Sequence, residues 1–320
     1  MKLIIQPDAG VAPVVTAIKQ ARKSVDVTIF RLDRNEVTRA LEAAVGRGVS
    51  VRALIAHTHS GSDKVLRKLE LRLLAAGVTV SRTADELVRY HGKMMIIDER
   101  VLHVYGFNFT RLDIAKSRSL GVITKNPKLV QEALKLFRAD DTRQTYVPGS
   151  DRFVVSPENA RERLAKFING ARKQLFIYDP HVSDDAMLRL IRQRVHAGVD
   201  VRIIGKVEAK WKICGDRFPG RRLHIRAIIR DGRRAFLGSQ SLRRLELEKR
   251  REIGVIANDK RVVRQMIAVF EQDWAQTESG KKQAKKAVKA VKAEKAEKAE
   301  KAAKTEKKGG REPRAVAAAS

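Results

Sequence analysis

Apolar positions along the body of the chain follow two alternating periods. Val14–Arg22 (VVTAIKQAR) repeats its apolar residues every three to four positions, as one face of a helix does. Ser24–Phe30 (SVDVTIF) is a β-branched run of strand length. A second helical stretch, Asn35–Gly46, leads to a short apolar strand, Val49–Ile55 (VSVRALI). The same order returns later. Glu158–Lys173 reads as helix, Gln174–Tyr178 (QLFIY) as strand, Asp184–Ala197 as helix and Val199–Ile204 (VDVRII) as strand. Strands that alternate with helices predict an α/β fold.

The two stretches align with each other. Gly48-Val49-Ser50-Val51-Arg52 matches Gly198-Val199-Asp200-Val201-Arg202 at an offset of 150 residues. This period is too long for a solenoid and predicts an internal duplication. Two α/β halves, residues 1–148 and 149–278, are expected to pack around a pseudo-twofold axis, with a shared site on it. Residues 279–320 differ in kind. They are Lys/Ala/Glu repeats without an aromatic residue, cannot bury a core, and read as a disordered or partly helical basic tail.

Each half ends in a matching constellation. His91, Lys93 and Asp98 recur as His224, Arg226 and Asp231 at identical spacing, and Asn108 and Ser241 each follow their histidine by 17 residues. Residues i and i+2 of a strand share a face, so each histidine projects with its cation. Met94–Ile97 and Ala227–Ile229 continue these strands into the core. Asp98-Glu99 and Asp231-Gly232 read as hairpin turns, and Val101–Tyr105 and Arg234–Leu237 as return strands that bring Asn108, Ser239 and Ser241 back beside the histidines. Two imidazoles, two cations and several neutral donors suit a phosphate. The cations neutralise its oxygens, one histidine can attack phosphorus, and the other can move the proton. That chemistry calls for no metal or other cofactor.

Charge sharpens this reading. The chain of 320 residues carries 67 Lys+Arg against 37 Asp+Glu, a net +30, of which +9 lies in residues 281–320 and +21 in the body. Such a surface attracts polyanions, either nucleic acid or an anionic membrane. No apolar run is long enough for a transmembrane helix or a secretory signal, and Cys214 is the single cysteine, which favours the cytoplasm, with or without peripheral membrane contact.

These residues resemble the signature of the phospholipase D superfamily: His-x-Lys, four residues, Asp, then Gly-Ser-x-Asn. The branch most similar is the two-motif bacterial one that includes cardiolipin synthases and related phosphatidyltransferases. The resemblance implies a phosphohistidine mechanism at a cleft between two α/β halves, acting on phospholipid or on a nucleic acid backbone. It departs from the pattern at Tyr105-Gly106, at Arg226 and at Ser241. Such families also place a Glu about 28 residues after the histidine to orient its ring. Glu252 stands there in the second half and Ser119 in the first, which would give His224 a carboxylate and leave His91 without its own. His91, beside intact Lys93 and Asn108, is the expected nucleophile. The first expectation is hydrolysis or transfer of phosphatidyl groups. A metal-independent nuclease and a decayed polyanion-binding protein are the alternatives.

Several residues are expected to be structural. Met94 and Met95 read as core, Cys214 as structural, and His57, His59, His103, His181 and His196 as ordinary surface or core histidines. Asp98 and Asp231 stay open between a turn and a supporting place in the site. From Gly48 to His91 is 43 residues, against 26 from Gly198 to His224. The first half thus carries an insertion that includes a helical pattern over Asp63–Ala76, while Trp211–Gly220 of the second half is expected as a loop near the cleft.

Overall fold

The computed structural model describes residues 1–57 and 63–309, so His59 falls outside the described residues. The first half runs β1 (Lys2–Gln6), α1 (Ala12–Gln20), β2 (Ser24–Ile29), α2 (Asn35–Gly46), β3 (Ser50–Ile55), α3 (Asp63–Ala75), β4 (Thr79–Arg82), β5 (Arg89–Tyr90), β6 (Met94–Ile97), β7 (Val101–Tyr105), β8 (Ser117–Thr124) and α4 (Pro127–Thr142). The second runs β9 (Phe153–Ser156), α5 (Ala160–Asn169), β10 (Gln174–Val182), α6 (Asp185–His196), β11 (Asp200–Val207), β12 (Arg222–Leu223), β13 (Ala227–Arg230), β14 (Arg234–Gly238), α7 (Arg244–Glu248), β15 (Arg250–Ala257) and α8 (Lys260–Trp274). The tail continues as a single helix, α9 (Glu278–Gly309), the helical form of the expected basic tail. The α/β expectation and the duplicated halves stand.

Two mixed sheets form. The first is ordered β1-β8-β7-β6-β2-β3-β4, and the second β11-β10-β13-β14-β15-β5, with β9 also on β15. The β2–β3 and β10–β11 pairs are parallel, as helical crossovers require, and the β6–β7 and β13–β14 hairpins run antiparallel beside them. Apolar residues of α4 and α8 pack between the sheets in one continuous core, which includes Phe137 and Phe270 and joins the halves. The outer faces are covered by α1, α2 and α3 on one side and by α5 and α6 on the other. Met94 and Met95 are fully buried, as their apolar strand predicts, whereas Cys214 is exposed and holds no core position.

The halves exchange strands. The two residues before His91, in β5, pair in parallel with Arg250 and Arg251 of β15. The two residues before His224, in β12, pair in parallel with Ser117 and Arg118 of β8. Each histidine is therefore delivered by its own half and anchored on the other. The His91 amide donates to the Arg251 carbonyl at 2.7 Å, and the His224 amide donates to the Arg118 carbonyl at 2.9 Å. Gly92 has no side chain because the backbone here presses on Ile253, where a Cβ would lie 2.5 Å from Cδ1.

Asp98 and Asp231 sit at the turn and not in the site. Asp98 Oδ1 accepts from the amides of Arg22, Lys23 and Ser24 at 2.7–3.0 Å. Asp231 Oδ1 does the same for Arg172, Lys173 and Gln174. Each carboxylate closes the loop that enters β2 or β10. Of the two readings left open for them, these contacts are those of the turn, and the spacing repeats to serve the fold. Asp98→Ala or Asp231→Ala should lower the unfolding free energy by about 2 kcal/mol through stranded amides, read as a shifted urea midpoint with turnover per folded molecule unchanged. Lost turnover at an unchanged midpoint would contradict this placement.

His103, on β7, is buried and its Nδ1 lies 2.9 Å from the Tyr105 hydroxyl. Burial pushes its pKa down to about 4. An unfolded histidine titrates near 6.5, so the folded chain binds fewer protons between these values. Stability is then full above about pH 6.5 and falls as the pH drops towards 4, by up to about 3 kcal/mol. His103→Gln, which keeps a neutral partner for Tyr105, should flatten this decline in urea titrations at pH 7 and pH 4.5. An identical decline would show that His103 does not carry it.

Candidate active site

The strand exchange decides which carboxylate meets which histidine. His91 Nδ1 lies 3.0 and 2.9 Å from the two oxygens of Glu252, the residue after its backbone anchor. Glu252 belongs to the second half, so the expected pairing of Glu252 with His224 is corrected. Glu252, 28 positions after His224, meets His91 because the strands have crossed. The matching position is Ser119, the residue after the backbone anchor of His224, whose hydroxyl is buried without a hydrogen-bond partner. A different acid approaches His224: Asp113 Oδ2 stands 3.4 Å from its Nδ1, an ion-pair distance without a hydrogen bond.

Asp113 was missed by sequence reasoning. It lies in a π turn, Leu112–Lys116, whose wide bend precedes β8. Nothing in the repeat marks it. Its Oδ2 accepts from the amide and Nδ2 of Asn108, at 2.8 and 2.7 Å, and its Oδ1 accepts from Arg222 at 2.6 Å. Ser241, the counterpart of Asn108, likewise supports an acid: its hydroxyl donates to Asp179 Oδ1 at 2.7 Å. Burial raises the Asp179 pKa to about 6. Asn108 and Ser241 thus both hold carboxylates behind the site. Ser239 stitches β14 to β15, accepting from the Ile253 amide at 3.1 Å and standing beside Glu252. Gly106 takes that position in the first half, where a Cβ would sit 2.9 Å from the Leu120 carbonyl and 3.3 Å from that of Gly238. The departure from Gly-Ser at Tyr105-Gly106 therefore fits close backbone packing between the halves.

Positive charge is concentrated here under poor solvation. Lys93 is 1 % exposed and donates to the His91 carbonyl at 2.6 Å. Burial pushes its pKa well below the usual lysine value. Arg226 keeps Nε and Nη1 buried without partners, and burial lowers its pKa too. An unpartnered guanidinium beside a buried lysine is a strong demand for an anion. Phe30 packs edge-on against the His91 ring at 4.8 Å, with Lys93, Arg31 and Arg89 all within 5.5 Å of its own ring. Burial, then Lys93 and Arg226, hold His91 neutral well below the ordinary histidine range. Burial, then Arg226 and Arg222, do the same to His224. A neutral His91 that donates Nδ1–H to Glu252 leaves the Nε2 lone pair free.

The family described as cardiolipin synthase, PLD-like domain, matches residues 14–140 and 164–274. The chain belongs to this family. The two matched ranges fall one in each half and both contain the His-x-cation pair. A curated relative, mitochondrial cardiolipin hydrolase from Danio rerio, is 33% identical over 129 residues, 38% of this chain and 54% of that protein. The chain thus spans about half the length of that relative. Among solved structures, polyphosphate kinase from Porphyromonas gingivalis superposes with a TM-score of 0.71 at 20% identity, over 84% of this chain and 49% of its own. Phosphatidylserine synthase from Haemophilus influenzae gives 0.63 at 12% identity, over 92% and 94%. These two show the fold alone.

The unequal acids generate a prediction. Glu252→Gln keeps an acceptor but loses the negative charge that would stabilise positive charge on the His91 ring. It should lower kcat on bis(p-nitrophenyl) phosphate about a thousandfold with KM little changed. Asp113→Asn, which removes a looser contact, should lower kcat by about tenfold. The reverse order of effects would refute the assignment of the tighter carboxylate to His91.

Proposed function

We propose that the chain is a metal-independent phosphodiesterase that works through a phosphohistidine on His91. The observation that carries this reading is the hold of Glu252 on His91 Nδ1, which aims a neutral Nε2 outward beside Lys93 and Arg226. The phosphate of a bound diester lies between these cations. His91 Nε2 attacks phosphorus and forms the P–N bond, while the P–O bond to the leaving group breaks. His224 gives that oxygen its proton. Burial, then the neighbouring cations, hold His224 neutral; the negative phosphate offsets those cations, so substrate and proton arrive together. His224 then takes a proton from water or an alcohol, the new oxygen bonds phosphorus, and the P–N bond breaks to restore His91.

Hydrolysis and transfer differ only in which hydroxyl enters at the second step. Phosphatidyl chemistry is supported by the family description and by the curated relative, a cardiolipin hydrolase. A nucleic acid backbone is supported by a different observation, the arginines Arg31, Arg89 and Arg250 near the pocket. No described helix is long and apolar enough to cross a membrane, and both substrates are open to a chain that binds a surface or a strand.

The decisive measurement uses bis(p-nitrophenyl) phosphate in chelator, then phospholipid vesicles and oligonucleotides. His91→Asn should abolish turnover of every substrate and form no phosphoenzyme. His224→Asn should still form an acid-labile phosphohistidine from the p-nitrophenyl ester, whose leaving group needs no proton, and should release it slowly. Full activity of His91→Asn, or label on His224, would overturn the assignment.

A further inference from the structure

The missing length in the second half has left an opening. In the first sheet β4 covers the edge of β3, and α3 packs over the connection. In the second sheet the corresponding strand, β11, is an edge. The shorter chain from Glu208 to Arg221 crosses it with a single bridge, Ile204 to Asp216. Between that segment and β11 lies a groove of about 840 Å³. Its lining includes Lys206, Arg217, Arg221 and Arg222, with Phe218 and Pro180 beside them. All four cations are exposed. Of these, Arg222 alone has an acidic partner among the described residues, Asp113.

The groove starts at the active site. Leu223, on its wall, precedes His224, and Pro180 follows Asp179, which holds Ser241. Arg222 belongs to both places, since it lines the groove and bonds the carboxylate beside His224. At its other side the groove segment meets the tail: Asp216 Oδ1 accepts from the amide of Ser279, in the first turn of α9. From there Lys281, Lys282, Lys285, Lys286 and Lys289 stand exposed along a helix of 32 residues, about 48 Å at 1.5 Å per residue. Cations thus line the way from the histidines, through the groove, to the helix, with the acids Asp113 and Asp216 among them.

We infer that this groove is a subsite for the phosphates flanking the scissile one in a single-stranded nucleic acid, with Arg217, Arg221 and Lys206 as its phosphate ligands. The inference rests on the phosphodiesterase reading for the ester that is cut, and on the groove for what surrounds it. A concave channel takes one strand and excludes a flat bilayer. A strand alone offers one phosphate to Arg226 and Lys93 and others to the groove and α9. Phe218 and Pro180 add apolar lining beside these cations.

The test uses the full chain in chelator. A fluorescein-labelled single strand of about twenty nucleotides is titrated by anisotropy across about 0.05–0.2 M salt, and its cleavage is timed. Bis(p-nitrophenyl) phosphate, which has no flanking phosphate, reports the site alone. Arg217→Gln/Arg221→Gln should weaken strand binding about tenfold and remove about 1.4 from the slope of log K against log salt, near 0.7 per phosphate contact. Turnover of the small ester should not change. Lys206→Gln, on the β11 wall, gives an independent variant with half that slope change. An unaltered strand affinity and slope in both variants would overturn the subsite. So would a loss confined to phosphatidylglycerol vesicles with strand binding intact. If the native chain binds the strand through these arginines yet turns over no diester, the catalytic reading fails and the subsite stands.

Discussion

The site depends on the backbone bonds that cross between the halves at Arg251, whose carbonyl accepts from the amides of His91 and Gly92 at 2.7 and 2.8 Å. These bonds, with that from the Val88 amide to the Lys249 carbonyl, hold the register of β5 on β15, and the register puts Glu252 against the imidazole. Remove them and the ring loses its orienting acid, Lys93 loses the fixed carbonyl it binds, and Gly92 loses the close approach to Ile253. The large shared core between the sheets supplies the driving force for docking. The exchanged strands, only two residues each, supply its precision.

Buried positive charge is what that docking makes possible. Lys93 and Arg226 would each be better solvated in water, and the imidazoles between them are held neutral by burial and by the same cations. Glu252 offsets part of this, yet burial raises its own pKa. The remainder is an unmet need for negative charge, localised where a phosphate fits. Electrostatic preorganisation of this sort requires no rearrangement when the substrate arrives, because the core has already fixed the charges.

Much of this was legible in the sequence for a local reason. The periods of two and 3.6 are written into neighbouring residues, so β2, α2, β3 and their counterparts fall within a few positions of where the pattern puts them. The paired His-x-cation spacing was equally plain. What could not be read was which half supplies the acid to which ring. That depends on β5 and β12, too short to carry a period, and on crossing between distant segments. Asp113 was hidden for a related reason, since a π turn has no repeating signature. Asp98 and Asp231 show the opposite hazard. Their repeated spacing is as regular as that of the histidines, but it records the loop that both halves must close.

Duplication inside one chain has a consequence for symmetry. Two identical subunits around a true twofold axis must give both histidines the same neighbours, because each surface residue exists in equal copies. Any change that improves one ring's environment is imposed on the other. Once both units lie in a single polypeptide, that obligation ends. Ser119 can stand opposite Glu252, Lys93 opposite Arg226, and a short loop opposite α3 and β4. The covalent link between the halves therefore does more than hold them together. It frees the two halves to diverge, so that the two steps proposed for this site, which would demand different partners, need not be served by a compromise.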